Sequence, residues 1–236
     1  MPTKAHDVYH VQMTEAKLRI LAAERVSTAS APLTGLSSLD CEFCFLQIRK
    51  VIELITFGAM VREEHRYRHF RTTEPKTSKA PEPDPTRDWN AKEILSRLVK
   101  LSPHMLPIPL GAHSSTGTGT INFDRAKTVV NHSKLIELYG VCSTFMHASN
   151  PLGENYIARV EIQRGEYRKG PQTIKKALDF LRRLLWLHAA VQLEWSDQQN
   201  ASCVDNPTSA WIVDFSSSEN DVVNIVLATT QDTDPL

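Results

Sequence analysis

The chain has 236 residues, 41% of them hydrophobic and 23% charged, an ordinary globular composition that suits one good core and excludes disorder throughout. Lys plus Arg equals Asp plus Glu at 27 each, for zero formal charge, which argues against a strongly basic stripe for duplex nucleic acid but leaves room for local patches. Four cysteines make no disulfide framework at this length, no apolar run is long enough to span a bilayer, and the first residues lack the pattern of a secretory leader. A cytoplasmic protein with no membrane partner is expected.

In chain order, a first helix is predicted from about Thr14, its cap, to Val26, where SerThrAlaSerAlaPro breaks it. A second, the strongest in the chain, runs from about Leu39 to Arg66 with Asp40 or Ser38 as N-cap. Residues 71–88 are proline-rich and polar, and read as an exposed, mobile loop. A third helix covers about Asn90 to Leu101, ended by the prolines of SerProHisMetLeuProIlePro. Residues 111–124 read as a polar, glycine-containing loop without a phosphate-binding pattern. A fourth helix spans about Ser133 to Ala148, residues 152–172 read as irregular with a short strand at TyrIleAlaArgValGluIle, and a fifth helix spans about Gln172 to Trp195. TrpIleValAspPhe at 211–215 and ValValAsnIleValLeu at 222–227 read as a β-hairpin. The expected fold is therefore mainly α: a bundle of about five helices in one domain, with a helical core over 38–195 and a small hairpin appendage over 205–230.

The second helix is apolar almost all round, as befits the middle of a core. Its polar exceptions Glu42, Arg49, Glu53 and Thr56 fall within roughly 60° of one another at ~100° per residue. Arg49 and Glu53 form an i,i+4 pair. Two readings stay open: a narrow seam or buried pair that fixes register, or the lining of a cleft that binds or orients a ligand. Cys41 and Cys44 have zinc-like spacing, and His65 and His69 could add ligands, but the arginine-rich surroundings of that histidine pair disfavour a cation, so core packing is expected and no metal or cofactor is assigned. On the fourth helix Gly140, Ser143 and His147 share a side. Glycine there costs ~1 kcal/mol against alanine, so a second helix, a partner subunit or a ligand is expected to approach closely. His147 reads either as a general acid or base, or as a structural histidine meeting the C-terminal carbonyls. His188, beside Trp186, reads as core.

Three segments taken together resemble the HEPN superfamily of RNA-cleaving and nucleotide-binding helical domains. They are GlnIleArgLysValIleGluLeu with Arg49 and Glu53, the amphipathic LysGluIleLeuSerArgLeuValLysLeu, and TyrGlyValCysSerThrPheMetHisAla ending at His147. The resemblance covers about residues 38–150. It implies a helical bundle, a homodimer, and either a non-catalytic module that binds RNA or a partner protein in phage defence or stress response, or a metal-independent ribonuclease. In the latter His147 would move a proton, Arg49 would stabilise the phosphate with Glu53 orienting it, and Tyr139, Ser143 and Asn150 would shape the pocket. The sequence departs from the family's motif of an arginine four to six residues before the histidine. Gly140, Val141 and Cys142 stand where that arginine belongs, and Arg62 with His69 match the spacing only at the far end of the second helix.

Overall fold

The computed structural model describes residues 4–73, 84–115, 121–126, 132–146, 151–152, 155–193, 207–216 and 222–229. Over them run six α-helices: α1 (Lys4–Ser27), α2 (Ser37–Arg62), α3 (Glu64–Thr73), α4 (Ala91–Leu101), α5 (Ser133–Thr144) and α6 (Tyr156–Leu185). Five strands accompany them: β1 (Ile108–Ser115), β2 (Ile121–Arg125), β3 (Leu187–Leu193), β4 (Pro207–Asp214) and β5 (Asn224–Thr229). The strands make one antiparallel sheet in the order β2-β1-β3-β4-β5. The protein is mainly helical, with the expected C-terminal hairpin forming one side of this sheet.

Helix α2 lies at the centre, burying Phe45, Ile48, Val51, Ile52 and Ile55, and packs against α1, α4, α5 and α6. One buried cluster draws residues from Tyr9 in α1 to Val223 ahead of β5. The hairpin also touches α1, where His10 donates to the Val223 carbonyl and the Val223 amide donates to Thr14 Oγ1.

Several boundaries differ from those read in the sequence. Helix α1 begins ten residues before Thr14, because Tyr9, Met13, Ala16, Ile20 and Ala23 continue a buried stripe through polar neighbours. Thr14 therefore caps nothing. Helix α2 starts at Ser37 without a side-chain cap; Asp40 instead accepts from the amides of Leu33 and Thr34, holding the preceding turn. It stops at Arg62, and Glu63 joins it to the separate α3. The expected loop over 71–88 is anchored at both described ends, since Asp88 accepts from Tyr67 and Arg71, while residues 74–83 lie outside the described ones.

Three larger corrections concern the second half. Residues 111–124 are not simply a loop: β1 and β2 pair there, with an irregular register between Leu110 and His113. Residues 156–172 are helical, not strand or coil, and α6 runs through Pro171. Pro171 removes one backbone donor, but Gly170 lets α6 approach α2 so closely that an added Cβ would meet Cys41 Sγ at 2.9 Å. Helix α6 ends at Leu185 rather than Trp195, and β3 follows. Strand β3 is central in the sheet and His188, Ala189, Ala190 and Val191 are all buried, so its sequence has no period-2 alternation to separate it from a helix.

Candidate functional site

The polar stripe of α2 meets α5 and α6. Arg49 donates through Nε to Glu53 Oε1 at 3.2 Å, through Nη1 to Ser143 Oγ at 2.8 Å and through Nη2 to the Tyr139 hydroxyl at 2.7 Å. Its guanidinium also lies over the Tyr139 ring, 4.3 Å from the centroid. Glu53 is held from a second side by Lys50 at 2.7 Å and accepts weakly from the Tyr139 hydroxyl at 3.4 Å. Ser143 donates onward to the Tyr139 carbonyl. The Arg49 and Glu53 side chains retain 18% and 15% of their exposure, so the pair sits at the mouth of the α2–α5 seam and not deep in the core. Further along the stripe, Glu42 accepts a hydrogen bond from Tyr167 of α6, and Thr56 donates to the Ile52 carbonyl one turn back.

Four of the six candidate residues, Arg49, Glu53, Tyr139 and Ser143, thus converge on one point. His147 and Asn150 lie outside the described residues. Lys50 was missed by sequence reasoning, although its i,i+3 spacing to Glu53 was a readable signal. Burial raises the Tyr139 phenol above its ordinary range despite the pull of Arg49, so it stays protonated and serves as a hydrogen-bonding group. Burial also pushes the Cys142 thiol up to about 12, which removes it as a nucleophile.

Among the described residues nothing makes the close approach expected at Gly140: a Cβ added there meets nothing within 4 Å. Arg62 and His69 do not form a site either. Arg62 is fully buried and donates to the Met105 carbonyl, whereas His69 is exposed on α3. Cys41 and Cys44 are buried and unpaired, and burial pushes the Cys44 thiol up to about 12. Among the described residues no group of three or more His, Cys, Asp or Glu could hold a metal ion, and no helix is long and apolar enough to cross a membrane.

Two surface grooves lie away from Arg49. One, about 280 Å³, runs between α1 and α3 beside Val8, Met60 and Tyr67; the other, about 260 Å³, lies beside Pro32, Cys41 and Pro171. Comparison with protein-family models, with curated proteins and with solved structures found no match for this chain.

Proposed function

We propose that the chain is a non-catalytic binding or regulatory module on a HEPN-like helical core, recognising RNA or a partner protein as a cytoplasmic homodimer in phage defence or a stress response. The observation that supports it is the state of Arg49. Its three nitrogens each donate to a group of the same chain, and the carboxylate of Glu53 offsets its charge. Three of its five N–H donors are thus spent within the chain, and it bridges two helices instead of pointing its full fork outward as a phosphate clamp does. This tie between α2 and α5 matches the register-fixing reading of the stripe.

A second reading is a metal-independent ribonuclease, with His147 as general acid or base. It draws support from the convergence of Arg49, Tyr139 and Ser143, since His147 follows Ser143 by four residues in the sequence. Cleavage of labelled single-stranded RNA and tRNA without added metal separates the two, comparing the native chain with His147→Ala and Arg49→Ala. The binding-module reading expects no cleavage by any form. Cleavage by the native chain that is lost in both variants, with their fold intact, would establish the ribonuclease.

A further inference from the structure

The neutral total charge hides a local asymmetry on α6. From Arg164 to Arg183 this helix carries seven basic residues, at 164, 168, 169, 175, 176, 182 and 183, against Glu166 and Asp179. Three of the seven have acidic partners: Arg164 pairs with Glu161, Lys169 with Glu166, and Arg182 with Glu24 of α1. The other four, Arg168, Lys175, Lys176 and Arg183, are exposed and form no ion pair among the described residues. At ~100° per residue these four fall within an arc of about 100°. The opposite side of α6 carries Ile174, Ala177, Leu178, Leu181 and Leu185 into the core, so the basic arc faces water squarely. Lys134 of α5, also exposed, lies to one side of it with its ammonium 5.6 Å from the ring centroid of the buried Phe180.

We infer that this face of α6 binds the phosphate backbone of a nucleic acid, independently of base sequence. Four cations against the single carboxylate of Asp179 leave this helix face with a net positive charge, and an anionic partner offsets that charge. They extend over sixteen residues, about 22 Å of helix at 1.5 Å per residue, a line of charge that suits a polymer of phosphates better than a single anion. Between Arg168 and Arg183 the arc holds Gln172 and Asp179 as its remaining members and no aromatic or large aliphatic side chain, and Trp186 just beyond it is taken up by Arg182 and Phe215. Base stacking is therefore absent from it, and so is the apolar wedge that a membrane-surface helix inserts among lipids. Phosphate contacts alone remain, which give affinity and orientation but no sequence preference. The inference rests on the binding-module reading and names its partner, yet the two fail separately. Cleavage of RNA by a chain that still needs this face for binding would overturn the first and keep the second.

The test is fluorescence anisotropy with the full chain and a labelled mixed-sequence single-stranded RNA, the DNA of the same sequence, and the corresponding RNA duplex. Anionic phosphatidylserine vesicles serve as the lipid arm. The variant Arg168→Glu/Lys175→Glu/Lys176→Glu is set against Lys92→Glu/Lys100→Glu on α4, whose two lysines are also exposed, with circular dichroism to confirm that both fold. Expected are binding to at least one polynucleotide at about 50 mM salt, a linear fall of log affinity with log salt, and a loss of roughly tenfold or more with a shallower salt slope in the α6 variant alone. Which polynucleotide binds best identifies the source of the phosphates. No binding to any of them, equal weakening by both variants, or binding to vesicles alone would overturn the proposal.

Discussion

His188 lies in the core between Tyr9 and the end of α6, and its two hydrogen bonds define its protonation. The Leu185 carbonyl only accepts, so Nδ1 donates to it at 2.8 Å, and Nε2 accepts from the Tyr9 hydroxyl at 3.0 Å. Complete burial pulls its pKa from 6.5 down to about 4, with Arg62 adding to the fall. Between those values the unfolded chain takes up a proton that the folded chain refuses. Stability therefore rises with pH across that window and falls on acidification, by up to about 3 kcal/mol from this residue at full effect. Denaturant midpoints measured from pH 7 to 4.5 should show the decline, and His188→Gln should flatten it; an unchanged slope in the variant would show that other groups carry the effect. The sequence already marked His188 as core. Its partner Tyr9 was invisible, being 179 residues away. Arg49 was more legible. That a charge on an apolar helix needs partners follows from desolvation alone, and Glu53 lies one turn on, while Tyr139 and Ser143 on another helix were reached only through the family resemblance.

At the scale of elements, glycines report where helices touch. The sequence pointed to Gly140 as the point of close approach, yet Gly58 and Gly170 are where α2 meets α1 and where α6 meets α2. A Cβ on Gly58 would sit 2.9 Å from Tyr9 Cδ2 and 3.1 Å from Gln12 Oε1. Gly58→Ala should therefore destabilise by about 1–3 kcal/mol through overpacking. Gly140→Ala has open space around it and should stabilise by about 0.5–1 kcal/mol through helix propensity. Shifts in urea midpoint at constant m-value would check both; the opposite order would mean that α1 and α2 are not packed as described. Helix α4 was legible because its apolar residues recur at helical spacing, and α2 because its apolar run is too long for a strand. Helix α6 was split in the reading because Gly165, Gly170 and Pro171 punctuate it, and its outward basic face went unseen for that reason. The apolar run of β3 was ambiguous because a strand covered on both sides loses its alternation.

At the scale of the whole molecule, the first three turns of α6 stand out from the core. None of residues 156–166 is buried, and Ile157 and Ile162 are 72% and 67% exposed, with Leu152 just ahead at 93%. A helical stretch of this length is marginal in water unless something packs on it. Its charges suggest what does. Arg159, Glu161, Arg164 and Glu166 alternate in sign, so an antiparallel copy would set Arg159 against Glu166 and Glu161 against Arg164, sharing or replacing the exposed bonds Glu161–Arg164 and Glu166–Lys169 within the helix. At ~100° per residue, Arg159 and Glu166 share one flank of the helix and Glu161 and Arg164 the other, with Ile162 on the side between them. Such a pattern is self-complementary about a two-fold axis, the symmetry most homo-oligomers use. The homodimer of the proposed function should thus form through this segment. Sedimentation equilibrium should find dimer, Ile162→Glu should dissociate it, and Arg159→Glu or Glu166→Arg should each weaken it. The double exchange of both charges should restore association, because residues 159 and 166 are seven apart and do not pair within one helix. A chain that stays monomeric up to about 100 µM, too weak for a stable dimer, would remove the homodimer and leave Ile157 and Ile162 for a different partner.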